Sequence, residues 1–165
     1  MTRQYVQVTI ALMLAIAAGA CRQADGTIPM PSADQRNEID DIAHDMRNVA
    51  RKDPQAPKDL AEDLSKYSTQ APAVTATNEL ARRLSVALQN AKLDEEPAER
   101  LAHTLWVGVI ARDISDRQVQ ALQNDVKVVL TSSGVTAQNA DAVADQIRGV
   151  QQTVTQRRKR WYEVF

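Results

Sequence analysis

The chain has 165 residues, with 20 Lys and Arg against 21 Asp and Glu and a net charge of −1, so it lacks the basic excess that marks a nucleic-acid or polyanion binder. Aromatic residues make up 4% of it and there are only five glycines, too little turn material for a many-stranded β fold. Its length suits one domain with a sizeable core.

At the N-terminus a single cation, Arg3, is followed by an uncharged stretch to Ala20 that is aliphatic or small from Val8 onward. A charged start, a short apolar run and small residues before a cut are the parts of a secretory signal. The run is too short to span a bilayer as a helix, which takes about 20 apolar residues. It ends in Ala18-Gly19-Ala20-Cys21, and Cys21 is the only cysteine of the chain. A lone thiol in an exported protein has no internal disulfide partner, and its place at the cut explains it.

These residues resemble the lipobox of bacterial lipoproteins, in which small residues precede a cysteine that is acylated and becomes the first residue of the mature protein. The resemblance departs from the family's commonest form at Ala18, where Leu is usual, and Ala18-x-Ala20 also suits ordinary signal cleavage. It implies export, palmitate-type acyl chains on Cys21 as the membrane partner, and a site in the cell envelope. Arg22 follows the cysteine where an Asp would favour retention at the inner membrane. The implied location is therefore the periplasmic face of the outer membrane.

The chain thus divides into a signal peptide at 1–20, a tether at 21–33 and a helical domain at 34–165. Gly26, Pro29 and Pro31 keep the tether out of a helix. A dozen residues extend to roughly 40 Å at about 3.3 Å each.

The fold class expected is all-α, an antiparallel bundle of five to six helices. Ser32 with Gln35 forms a capping-box pair at the start of the first helix. Ile39, Ile42, Ala43, Met46, Val49 and Ala50 then share one face. Asp53-Pro54 and Pro57 end it. A shorter helix is predicted from Lys58 to Tyr67, with Leu60, Leu64 and Tyr67 inward, closed by Pro72.

Beyond it the sequence repeats with a 21-residue period. Leu80, Leu84, Leu88 and Leu93 recur as Leu101, Leu105, Val109 and Ile114, then as Leu122, Val126, Leu130 and Val135, and Val143 and Ile147 begin a fourth unit. Each complete unit is followed by a strong N-cap type, Asp94, Ser115 or Thr136. The aliphatic residue before each cap is placed to staple onto Ala98, Val119 or Ala140. Gly134 stands where a helix-ending glycine belongs, and Pro97 suits a first helical turn. Four helices are predicted, at 76–91, 95–112, 116–132 and 137–161, with each unit stacked on the next. Three heptads also make 21 residues, so one long coiled coil is the competing reading; the breaks at Asp94–Pro97 and Gly134–Thr136 favour separate helices, and the weaker break at Asp113-Ile114-Ser115 leaves continuity of the second and third helices open.

No phosphate loop, nucleophile elbow, zinc-protease motif or haem motif occurs, so neither an enzyme nor a cofactor is expected. His44 lies among Asp40, Asp41 and Asp45, and His103 lies one turn after Glu99. A metal- or small-ligand-binding periplasmic protein using these two histidines and nearby carboxylates is the alternative reading. The C-terminus carries Arg157, Arg158, Lys159, Arg160 and Trp161, then Tyr162 and, at the end, Phe165. Four cations complement a helix dipole, and the aromatics can cap an apolar end. The same run suits an anionic lipid surface, and the free carboxylate with Val164-Phe165 suits a PDZ-type domain that reads C-termini by strand addition. The chain as a whole reads as an anchored bundle serving as a structural or protein-binding accessory of the envelope.

Overall fold

A computed structural model describes residues 33–66, 71–110 and 114–162, with side chains described from Ala73 in the third helix and as far as Thr153 in the last. The segment expected to be a signal peptide, Cys21 and nearly all of the expected tether lie outside the described residues, as do Ser32, Tyr67 and Phe165. Among the described residues six helices follow one another: α1 Ala33–Ala50, α2 Ala56–Ser65, α3 Ala71–Leu88, α4 Glu95–Ile110, α5 Asp116–Ser132 and α6 Ala137–Tyr162. No strand occurs among the described residues.

The apolar stripes form the core. Ile39, Ile42, Ala43, Met46 and Val49 of α1 are buried, and so are Leu60 and Leu64 of α2. Ten of the twelve repeat positions are buried, and the other two, Ile114 and Leu122, are half-buried. Each fully buried leucine contributes roughly 2 kcal/mol.

Local chemistry fixes the helix ends. Ser115 is extended (φ −70°, ψ 158°), accepts from the Gln118 N–H at 3.3 Å and donates its own N–H to Gln118 Oε1 at 2.7 Å. This capping box starts α5 afresh, so α4 and α5 are separate helices. Thr136 Oγ1 accepts from the Asn139 N–H in the same way at the start of α6. The end of α5 is a paired closure: Gly134 N–H donates to Thr131 O and Val135 N–H to Leu130 O. Gly134 takes φ +87° to make it, which suits a residue without a Cβ. The end of α1 has the same hydrogen bonds, Lys52 N–H to Val49 O and Asp53 N–H to Asn48 O, but the residue at φ +67° is Lys52.

Three boundaries differ from the sequence expectation. The second helix begins at Ala56 rather than Lys58, with Pro57 in its first turn. The third begins at Ala71 rather than 76 and ends at Leu88 rather than 91, so Pro72 opens a helix instead of closing a segment. In both, the proline occupies a position whose N–H has no intrahelical acceptor, where it is tolerated and its fixed φ is already helical.

The packing order also differs. The chain forms two three-helix halves, α1–α3 and α4–α6, within which every pair of helices touches. The halves meet along two seams, α3 against α6 and α1 against α4. Consecutive repeat units α3 and α4 therefore do not stack on each other; each finds its main neighbours elsewhere. A small patch explains part of this. A Cβ on Gly108 of α4 would lie 3.0 Å from Ile147 of α6, so the glycine lets those two helices approach closely.

Cross-helix bonds set the directions. Gln146 donates to Ala76 O (3.0 Å) and Arg83 to Ala142 O (3.2 Å), which makes α3 and α6 antiparallel. Glu79, held at a pKa of about 2 by hydrogen bonds from Arg82 and then Arg83, orients that arginine at the seam. Gln123 donates to Ala144 O and accepts from Arg148, while Lys127 pairs with Asp141, so α5 and α6 are antiparallel too. Glu38 with Lys66 aligns α1 against α2, and Arg47 with Glu95 aligns α1 against α4. The helices alternate up and down throughout.

The two helix ends with left-handed residues make opposite predictions from one geometry. Gly134→Ala has open space for its methyl group, so the cost is conformational, about 1 kcal/mol lost. Lys52→Gly relieves the same strain and is expected to gain about 0.5–1 kcal/mol. Chemical denaturation of the two variants reads both signs.

Candidate functional site

The residues singled out from the sequence fall into three groups. Cys21 and Phe165 lie outside the described residues. Arg157, Arg158, Lys159, Arg160 and Trp161 fall on the backbone of α6, which continues to Tyr162, but their side chains lie outside the described set. His44 and His103 are both exposed, one on α1 and the other on α4.

Among the described residues no group of three or more His, Cys, Asp or Glu side chains is arranged to hold a metal ion. The structure therefore lends no support to a site built on the two histidines. A Zn2+ titration of the wild type and of a His44→Ala/His103→Ala variant is expected to give equal, weak binding.

The largest departure from ordinary electrostatics lies between α1 and α2. Glu38 and Asp45 sit on the buried face of α1 at 4% and 9% exposure. Opposite them, α2 carries Asp59 and Asp63. The Asp45 carboxyl donates a hydrogen bond to Asp63, and burial, then the charges of Asp63 and Asp59, push its pKa up to about 7. Burial and then the charges of Glu38 and Asp41 raise Asp63 as well, with Lys66 opposing them. Lys66 also pairs with Glu38. One oxygen of Asp45 and one of Glu38 find no hydrogen-bond partner among the described residues. Two carboxyls thus face each other inside a helical hairpin, and burial brings the titration of one of them close to neutral pH.

Other buried polar groups tie helices together. Thr104 of α4 donates to Arg100 O at 2.9 Å and to Asp125 of α5 at 2.7 Å, and Arg100 pairs with the same Asp125. Gln151 of α6 donates to the Gly108 carbonyl of α4. Trp106 is 4% exposed, a packing aromatic, and its indole N–H has no acceptor among the described residues. The bonds of Thr104 and Gln151 fix the register of α4 against α5 and α6.

An open depression of about 350 Å3 lies where the α1–α2 and α3–α4 connections meet, lined by Val49, Lys52, Pro54, Pro57, Gln89 and Asn90, among others. Its polar residues are exposed and it has no buried titratable group, so it lacks the features of a catalytic or specific binding pocket. No helix among the described residues is long and apolar enough to cross a membrane.

The sequence held a signal for the carboxyl pair. Glu38, Ile42, Asp45 and Val49 are spaced four, three and four apart, which puts both acids on the core side of α1. The partner residues on α2 carried no comparable mark.

The proton on Asp45 makes stability depend on pH. Its folded pKa lies above the unfolded value of 3.8. The folded state therefore holds a proton that the unfolded chain releases, and stability falls as pH rises through about 4 to 7. Asp45→Asn is expected to match the wild type near pH 4 and to melt higher at pH 8. The difference should be on the order of 2–4 kcal/mol. Thermal melts across that range test it.

No protein-family model, curated protein sequence or solved structure matches this chain.

Proposed function

We propose that this chain is a lipoprotein of the bacterial envelope, anchored through acyl chains on Cys21, whose helical bundle serves as a structural or protein-binding accessory. The observation that carries the reading is Ala18-Gly19-Ala20-Cys21 at the close of an apolar run that follows a single cation. The sole cysteine of the chain stands where the acylated residue of a lipoprotein stands.

Physical economy supports the anchor. One acyl chain gives marginal, reversible attachment, whereas two or three hold a protein on a bilayer for practical purposes. The bundle supports the accessory role in a different way. Its core is aliphatic, and buried polar groups such as Thr104, Gln123 and Gln151 hold helices together. What remains for recognition is the outside of the helices and the two ends of the bundle.

Arg22 favours the outer membrane, with the domain on the periplasmic side. The test is metabolic labelling with an alkyne-bearing palmitate analogue in a Gram-negative host. The wild type is expected to take the label and fractionate with the outer membrane. Cys21→Ser is expected to lose the label and appear in the soluble periplasmic fraction. Equal labelling of both proteins, or none of either, rejects the anchor.

A further inference from the structure

The two ends of the bundle are not alike, and the difference bears on what the basic run of α6 does. Lys66 pairs with Glu38, and Arg47 pairs with Glu95, so the start of α1, the end of α2 and the end of α4 lie at one end of the bundle. The start of α3 lies there too, because its other end shares the depression with the α1–α2 connection. α6 runs antiparallel to α3 and finishes at that same end. The chain therefore enters the bundle at Ala33 and completes α6 at the same end.

α6 is also longer than its neighbours, at 26 residues against 18, 16 and 17 for α3, α4 and α5. The register shows where the excess falls. Gln146 meets Ala76, Gln151 meets Gly108 and Gln123 meets Ala144. Continuing those registers brings the start of α3, the end of α4 and the start of α5 abreast of α6 near residue 152. From Thr153 to Tyr162 the α6 backbone runs on past the helical ends of all three, for about 15 Å at 1.5 Å per residue. Arg157, Arg158, Lys159, Arg160 and Trp161 fall in this extension.

We propose that the extension of α6 is a second membrane contact, engaging anionic phospholipid headgroups beside the acyl anchor. This rests on the anchored reading of Cys21. The tether joins the bundle at the end from which the extension projects, and a dozen residues reach at most roughly 40 Å. The extension is thus kept near the surface to which Cys21 is fixed, at an effective concentration in the millimolar range. Four consecutive cations suit an anionic leaflet, each raising partition about fivefold. Trp161 is of the type that settles at headgroup level. The acyl chains hold the protein, and the basic extension sets its orientation, with the bundle axis pointing away from the bilayer.

The test uses the mature chain from residue 21 with Cys21→Ser, which carries no lipid, so its outcome is independent of whether Cys21 is acylated in cells. Co-sedimentation is measured with vesicles of phosphatidylcholine alone and with vesicles containing phosphatidylglycerol. Binding is expected to the anionic vesicles only, weakened at least tenfold between 0.1 and 0.5 M salt. It should be lost in a variant with Arg157, Arg158, Lys159 and Arg160 all changed to Gln, and kept when the three arginines become Lys. Circular dichroism melts of the Gln variant are expected to match the wild type. Absent binding, equal binding to both vesicles or full binding by the Gln variant overturns the proposal. So does a lowered melt in the Gln variant, which would identify the run as part of the bundle's packing. Failure of palmitate labelling would reject the anchor alone.

Discussion

Each helix of this domain offers one apolar stripe, and none can bury it alone. The contact that resolves this most economically is the seat of α6. Its buried side chains Ala140, Val143, Ala144, Ile147 and Val150 serve three neighbours, α3, α5 and α4. Alanines alternate with larger aliphatics along that face, so backbones come close on one side while branched side chains fill the gaps on another. At Gly108, where an added Cβ would lie 3.0 Å from Ile147, α4 comes close to α6. Without α6 the α4–α5 pair would have an open face, and α3 would lose its larger seam.

Around that seat, direction and register are set by polar groups rather than by the aliphatic core. Gln123, Gln146, Gln151 and Arg83 reach across helix boundaries to backbone carbonyls, and a carbonyl has a single position along its helix. Apolar stripes tolerate sliding by a turn more readily than such bonds do. The capping box at Ser115 and the closure at Gly134 fix where helices begin and end, so the lengths match the register. At the opposite end from the chain's entry, the Lys92 N–H donates to the Ser133 carbonyl at 2.8 Å. That bond ties the crossing between the two halves to the α5–α6 turn.

Much of this was legible in the residues. The 21-residue period gave the phase of four helices because burial imposes the same demand on each. The caps Ser115 and Thr136 and the glycine at 134 marked ends through chemistry that acts within a few residues. Neighbourhood was not legible. A stripe says which side of a helix faces inward and is silent on which helix lies opposite, so stacking of α3 on α4 was a reasonable expectation that the two-halves arrangement replaced. The prolines at 57 and 72 misled for a related reason: proline excludes the middle of a helix but suits its first turn, and only the surrounding backbone distinguishes the two. Of the candidate site residues, Cys21 stands on a local pattern alone. The Asp45–Asp63 pair needed two helices brought together before it existed.

The strict alternation of helix directions has a mechanical consequence for any load applied at Ala33, where the described chain enters the bundle. A pull along the axis of α1 acts against α2 on one side and α4 on another, both antiparallel to it. Such a load shears every turn of those contacts at once instead of peeling them one by one. Aliphatic interfaces loaded in shear yield only when many contacts fail together. A load that enters at Ala33 is therefore shared along the length of α1 by its contacts with α2 and α4, and α1 is the member that takes the strain.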